Sequence, residues 1–246
     1  MLTRRRRGVN IDALPESVYR YVDTAIVCID VFLSSTTVVT AVAKGRRIVP
    51  AATVDDARAR ARGLPNPILA SELGGPKDFD LWSGPVAYQS RTDLGRPLVL
   101  VSPVSQLMLN AQAAPAVYVA CLRNMSATAE LLAVRHERVA LVGAGYAGEP
   151  RCEDQMVAAW IARELIERGF EPDGLNTARE VERWAHADLT LASLGRGAEY
   201  LRRLRQDEDL DFVMSRVDDL DLVCRYHAGE VRGIWLSPSR RMASSH

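Results

Sequence analysis

From residue 24 to about residue 168 the chain alternates short apolar runs with helical patterns, which is how a parallel sheet with crossover helices reads. Six runs are expected to be strands: residues 24–30 (TAIVCID), 47–50 (RIVP), 67–70 (PILA), 97–102 (PLVLVS), 116–120 (AVYVA) and 138–144 (RVALVGA). Most are apolar throughout, as strands covered on both faces must be. Between them, TVDDARARA opens on a hydroxyl cap at Thr53 with acids in its first turn. EDQMVAAWIARELIERG places Met156, Trp160, Ile161 and Leu165 near a 3.6-residue period and stops at Gly169. After Gly169 the alternation changes, and residues 177–218 read as consecutive helices joined near Gly195. The pattern predicts an α/β fold: a mostly parallel sheet with helices on both faces, three layers in all, and a helical C-terminal segment. Without an internal repeat or a low-complexity linker, residues 21–236 are expected to form one domain. Residues 1–20 are expected to be a flexible arm and residues 237–246 a flexible tail.

With 48% hydrophobic and 25% charged residues, 246 residues can bury a substantial core. Thirty-one Lys and Arg balance thirty-one Asp and Glu, so no net field gathers nucleic acid or an anionic membrane. The expected partner is a small molecule or another protein chain, and Arg4 to Arg7 read as part of the solvated arm. Four cysteines, Cys28, Cys121, Cys152 and Cys224, lack CxxC spacing, which argues against a zinc site and a disulfide framework and fits a reducing cytoplasm. No run approaches the eighteen or so apolar residues needed to span a bilayer, and the first thirty residues lack a signal-peptide core.

In open parallel sheets ligands bind beyond the carboxyl ends of the strands, where loops converge and helix N-termini present free N–H groups. The first strand is followed by Asp30 and the hydroxyls of Ser34, Ser35, Thr36 and Thr37. After the third comes SELGGPKDFDLWSGP (71–85), with Glu72, Gly74, Gly75 and Lys77. The fourth leads into SPVSQ with Ser105, the fifth into CLRNMSAT with Asn124, and the sixth into GYAGEPRCEDQ with Gly148, Glu153 and Asp154. Any one of these residues could merely cap a helix or complement its dipole. Taken together, Asp30, Glu72, Glu153 and Asp154 form a cluster of carboxylates that repel one another and call for a cation. Magnesium, which takes carboxylate oxygens and keeps waters for a phosphate, is the natural candidate.

Gly143, Gly145 and Gly148 also have dinucleotide-binding spacing between a strand and a helix. Against that role, the acid expected about twenty residues on falls on Glu164 or Glu167 inside a helix, and no convincing strand follows. Cys152 stands at a helix start, but Glu153 beside it opposes a thiolate. The histidines His136, His186, His227 and His246 have no ligand spacing, and only His227 is kept in reserve.

The motifs CIDVFLSSTTVVTAVAKG, IVPAATVDDA, LASELGG, FDLWSGP, YVACLRNMSATAELL, LVGAGYAGEPRCEDQMVAAW and SLGRGAEYLRRLRQDEDLDFVMSRVD follow one another in this order. From about residue 24 to 234 the chain resembles the 2-phosphosulfolactate phosphatase family. The resemblance implies an α/β, magnesium-dependent acid phosphatase, linked to coenzyme M biosynthesis and found too in many bacteria without that pathway. It also makes a homodimer an expectation. It implies a pocket built from Asp30, Ser35, Thr36, Thr37, Glu72, Gly74, Gly75, Asn124, Glu153 and Asp154. Asp30, Glu72 and Asp154 are the expected catalytic carboxylates, and these three with Glu153 the expected metal ligands.

The departures from the family pattern lean apolar. Leu33 stands where an arginine is expected, Trp82 where a glycine is, and Val104 and Ser105 replace an Asn-Gly pair. Phe32, Leu33, Trp82 and Val104 are thus expected to line the rim. Each charge-assisted hydrogen bond lost from a desolvated phosphate site costs about 1.5–3 kcal/mol, so Lys77, Arg123 or Arg151 would have to compensate. Three readings follow. The first is a magnesium-dependent phosphatase acting on a small organic-acid phosphate. The second is a repurposed enzyme on the same scaffold, using Asp30 or Glu72 as general acid or base on an unphosphorylated, more apolar metabolite. The third is a non-catalytic ligand-binding protein.

Overall fold

A computed structural model describes residues 6–72 and 76–237. In chain order the elements are β1 (Gly8–Asp12), a 3-10 turn (Pro15–Arg20), β2 (Ala25–Ile29), α1 (Ser34–Ala43), β3 (Ile48–Ala51), α2 (Val54–Ala61), β4 (Ile68–Ser71), β5 (Leu81–Trp82), α3 (Pro85–Gln89), β6 (Leu98–Val101) and α4 (Pro103–Asn110). There follow β7 (Val117–Ala120), α5 (Met125–Arg135), β8 (Arg138–Gly143), α6 (Cys152–Glu167), β9 (Glu171–Pro172), α7 (Leu175–Trp184), α8 (Thr190–Ser193), α9 (Arg196–Arg203), α10 (Asp207–Met214), β10 (Leu222–His227) and β11 (Glu230–Trp235).

The described strands form one sheet in the order β5-β4-β6-β3-β11-β10-β7-β2-β8-β1-β9. All six expected strands are present. With β1, β5 and β9 they make two halves, each parallel within itself, β5-β4-β6-β3 and β7-β2-β8-β1-β9, and the antiparallel hairpin β10-β11 joins them through Cys224–Val119 on one side and the single pair Val231–Ile48 on the other. The architecture is α/β, mostly parallel, with helices on both faces as the apolar runs required.

Period-two alternation shows how β2 serves two cores. Ala25, Val27 and Ile29 pack with α6 and α5, while Ile26 and Cys28 pack with α1, α4 and the inner face of β3, β4 and β6. A single core thus takes side chains from both parallel halves, with α1 and α4 lying between them. The carboxyl ends of both halves border that shared core and meet there.

One sequence expectation is corrected at the N-terminus. Gly8–Asp12, within the stretch read as a flexible arm, is a strand between β8 and β9, with Val9 and Ile11 buried. Its run VNI is too short and too mixed to stand out, and the register with Arg138–Val142 is what fixes it. The hairpin β10-β11 also escaped the reading, because it breaks the strand-helix alternation. The expected tail lies outside the described residues, apart from Ser237. Among the described residues no helix is long and apolar enough to cross a membrane.

His136, the residue closing α5, places Nε2 2.8 Å from the Tyr118 hydroxyl. Burial lowers its proton affinity, and Arg225 and Arg135 lower it further. The unfolded chain therefore binds this proton more readily than the native state. Stability is unaffected by His136 above the unfolded value of about 6.5 and declines as pH falls through it, levelling off below the folded value. In urea unfolding at pH 7.5 and 5.5, the parent chain is expected to lose more stability on acidification than His136→Gln. Equal losses would show that His136 makes no contribution.

Candidate active site

The turn between β2 and α1 is wired by its own side chains. The Ser34 hydroxyl donates to Asp30 Oδ2 at 2.5 Å, and the Ser35 hydroxyl accepts from the Asp30 N–H at 2.8 Å. The Ser35 N–H donates to the Asp30 carbonyl at 2.9 Å. Thr36 Oγ1 donates to the Val31 carbonyl at 2.9 Å and Thr37 Oγ1 to the Ser83 carbonyl at 2.5 Å. All four hydroxyl residues are fully buried. The hydroxyls of Ser35, Thr36 and Thr37, expected to meet substrate, are instead engaged with the backbone that holds Asp30 in place. Ser34, which touches the carboxylate directly, was not among the expected site residues. Its position four residues after Asp30, at the start of the helix, was the available signal.

Four acids gather around this turn. Asp30 ends β2, Glu72 follows β4, and Glu153 and Asp154 occupy the first turn of α6. Each is at most 7% exposed. The Val31 N–H donates to Asp154 Oδ1 at 2.8 Å, which ties α6 to the β2 turn. The Ser34 hydroxyl and the Leu33 backbone also act on Glu72, holding its proton affinity down. Burial pushes the Asp30 carboxyl up to about 6, and Glu153's charge adds to the rise, while the Ser34 hydrogen bond and Arg151 pull it down. Glu72 and Asp154 are also raised, by burial first and then by the charge of Asp30. Glu153 rises mainly through burial. The repulsion foreseen from sequence is therefore present, with Asp30 at its centre.

Glu72 Oε2 and Asp154 Oδ2 are buried with no hydrogen-bond partner among the described residues. Unpaired buried carboxylate oxygens are costly, and an all-oxygen donor set suits a hard cation such as Mg²⁺. Among the described residues no three or more Asp, Glu, His or Cys side chains already close on one point as an ion site.

A small cavity of about 20 Å³ opens over Asp30 and Glu72. It is bounded by Phe32, Pro103, Gly145, Tyr146, Arg151, Gly197 and Tyr200. The Arg151 guanidinium lies 5.3 Å from the Tyr146 ring centre, and the Tyr146 and Tyr200 rings are 6.0 Å apart. Of the three cations considered from sequence, Arg151 alone reaches the acids. Arg123 is buried in an ion pair with Asp219 at 2.7 Å and donates to Thr40 at 2.8 Å, and Lys77 is exposed and does not line this cavity. Arg151 was one of the three cations considered from sequence, whereas Tyr146 and Tyr200 were not among the expected site residues, because their meeting depends on α9 reaching the start of α6.

Other expectations fall differently. Phe32 lines the cavity, but Leu33 and Val104 are fully buried in the core and do not reach a rim. The apolar N-cap position of α1 serves packing, while Leu33's backbone serves Glu72. Trp82 on β5 borders a shallow cleft beside Lys77, away from the acids. Asn124 is fully buried: its side-chain oxygen accepts from Cys121 N–H at 3.0 Å, and its amide donates to the Val119 and Leu222 carbonyls at 3.2 and 3.1 Å. It clamps the hairpin to β7. The Ser105 hydroxyl accepts from the Ser102 cap of α4 at 3.0 Å. Gly74 and Gly75 lie outside the described residues.

Gly148, with φ +75°, belongs to a tight turn in which Tyr146 and Glu149 exchange backbone hydrogen bonds. The glycine spacing thus forms a closed turn ahead of a helix that begins with two acids, an unfavourable seat for a pyrophosphate. Burial, then Glu153, push the Cys152 thiol up to about 12, which leaves no thiolate nucleophile. His227 is exposed in the β10-β11 turn region.

A buried carboxylate cluster where strand ends meet, with a cation and two tyrosines above it, defines the class of α/β enzymes that take small polar molecules at the carboxyl edge of a sheet. The family model for 2-phosphosulpholactate phosphatase matches residues 11–229. A probable 2-phosphosulfolactate phosphatase of Deinococcus radiodurans is 34% identical over 214 residues, covering 83% of this chain and 88% of the relative. Proteins of the same description from Pseudothermotoga lettingae and Synechococcus sp. (strain CC9605) are 32% and 31% identical, covering 70% and 81% of this chain and 75% and 87% of theirs. The chain belongs to the 2-phosphosulpholactate phosphatase family, and its chemical class is that of the phosphoric monoester hydrolases.

Gly197 on α9 makes the site's roof possible. A Cβ there would lie 1.9 Å from Glu153 Oε1 and 3.1 Å from Phe32 Cδ2. Gly197→Ala is expected to cost about 1–3 kcal/mol of stability, measured by urea unfolding, and to lower activity by displacing Glu153. An Ala variant of parent stability would show that α9 does not bear on Glu153.

Proposed function

We propose that the chain hydrolyses a small phosphate monoester over the Asp30–Glu72–Asp154 cluster, with the phosphate held from above by Arg151. The observation that supports this best is Arg151 itself. It makes no ion pair among the described residues, lines one cavity with Asp30 and Glu72 and acts on Glu153 beside it, and supplies a positive charge that Leu33 does not. Water attacks phosphorus in line, a carboxylate of the cluster takes the water's proton, and the ester oxygen leaves as the alcohol after gaining a proton. Asp30 is the carboxylate assigned this role, because Ser34 and the α1 N-terminus fix its orientation. The raised proton affinity of the acids and their two unpaired oxygens fit a divalent cation. Glu72 and Asp154, with Asp30 beside both, are the residues that would hold it. When bound, Mg²⁺ would neutralise the cluster and draw charge from the phosphoryl oxygens.

A second reading, acid–base chemistry on an unphosphorylated metabolite, draws on the aromatic mouth formed by Phe32, Tyr146 and Tyr200. Phosphate release separates the two readings. All four cysteines are free and three of them buried, which supports a reducing cytoplasm as the working compartment.

With Mg²⁺ present, the purified chain is expected to release phosphate from small phosphomonoesters. Asp30→Asn should lower kcat by about a hundredfold or more while leaving the circular dichroism spectrum intact. Arg151→Ala should raise KM by about tenfold to a hundredfold, the equivalent of one charge-assisted hydrogen bond. Absence of release across a broad panel of esters would remove the hydrolase proposal. For the cation, Mg²⁺ is expected to raise the melting temperature of the parent chain and not that of the Glu72→Gln, Asp154→Asn double variant. The same rise in both would place the ion elsewhere.

A further inference from the structure

Beside the acid cavity lies a larger cleft of about 470 Å³, and the two share Pro103, Gly145 and Tyr146 as walls. We infer that this cleft holds the organic arm of the substrate, and that the arm is uncharged and hydroxyl-bearing, a deepening that rests on the hydrolase reading above. The shared walls make the cleft the continuation of the reacting centre: a phosphate under Arg151 has its ester oxygen's substituent directed along Tyr146 and Gly145.

The lining decides the chemistry of the arm. Buried Val101 and Leu107 form an apolar floor, and Gln106 and Asn110 on α4 offer amide donors and acceptors. Among the described residues lining the cleft, Glu16 is the only charged one, and it is acidic. A second anionic group on the arm would therefore meet a like charge and no cation. Arg151, across the shared wall, is taken by the phosphate, and Arg196 is paired with Glu149. Substrate groups that can both donate and accept hydrogen bonds suit the two amides, whereas a carboxylate or sulfonate can only accept. The cleft also falls in the range of small-molecule sites, ample for an arm larger than a three-carbon acid. This chain's specificity thereby differs from what its relatives' names describe, since 2-phosphosulfolactate carries a carboxylate and a sulfonate besides its phosphate.

Steady-state phosphate release by the full chain with Mg²⁺ tests this directly, with glycerol 1-phosphate and glucose 6-phosphate set against 2-phosphoglycerate and 2-phosphosulfolactate. The neutral-arm esters are expected to show kcat/KM at least about tenfold higher, and Gln106→Lys to shrink or invert that ratio by about tenfold. A parent chain that prefers the anionic-arm esters, or a ratio untouched by Gln106→Lys, overturns the inference. If none of the four esters, and none of the broader panel, is hydrolysed, the hydrolase reading fails on its own. Calorimetric binding of the same esters then decides the inference: tighter binding of the neutral-arm pair upholds it, and equal or weaker binding overturns it.

Discussion

The burial of Asp30 is the constraint on which the site depends. A carboxylate removed from water at the end of a central strand needs hydrogen bonds to hold it and some means of tolerating its charge. Two of the hydrogen bonds come from the turn itself, Ser34 on the carboxylate and Ser35 on the Asp30 N–H, and a third from α6, Asp154 on the next N–H at Val31. The last of these fixes where α6 begins relative to β2. Once α6 is placed, Glu153 and Asp154 follow, and α9 can seat on Glu153 only because Gly195 and Gly197 leave room. The position of one acid thus propagates through three elements to the roof of the cleft.

The charge is not balanced from within the protein. Three further acids stand near Asp30, and burial removes the water that would screen them. Among the described cations Arg151 is the one whose charge offsets the cluster, acting on Asp30 and Glu153 from the N-cap of α6. One guanidinium against four carboxyls leaves the cluster either protonated or in want of a cation. The first would hold the acids ready to exchange protons, and the second would provide a seat for a phosphate. The same arrangement thus favours both halves of a hydrolytic reaction, and it accounts for two carboxylate oxygens being left without partners.

Much of the sheet was legible because its strands are apolar on both faces, a pattern that owes little to neighbours. β1, β10 and β11 were not, because each depends on a partner: β1 is fixed by its register with β8, and the hairpin by its insertion between two parallel halves. At the site, Asp30, Glu72, Glu153 and Asp154 could be gathered from strand-end topology alone. Their neighbours' tasks could not. Thr36 and Asn124 look the same in sequence whether they face substrate or a backbone carbonyl, and only the packed turn shows that they face backbone. Leu33 misled in another way, since a residue between an acid and four hydroxyls reads as pocket lining when its side chain belongs to the core.

Leu33 also shows how the position expected to carry an arginine can be apolar without emptying the site of positive charge. Its backbone N–H serves Glu72 while its side chain fills the core, and the cation enters from the opposite wall, on α6. An arginine in the β2 turn would approach a phosphate from beside the hydroxyls, whereas in the proposed mode Arg151, 5.3 Å from the Tyr146 ring centre, would approach it from above. Moving the charge across the cleft alters which face of the substrate is gripped and leaves the wall beyond Gly145 free of cations. On the proposed reading, the arrangement of charge, more than its amount, would separate a phosphate end of this cleft from an end that meets the rest of the substrate.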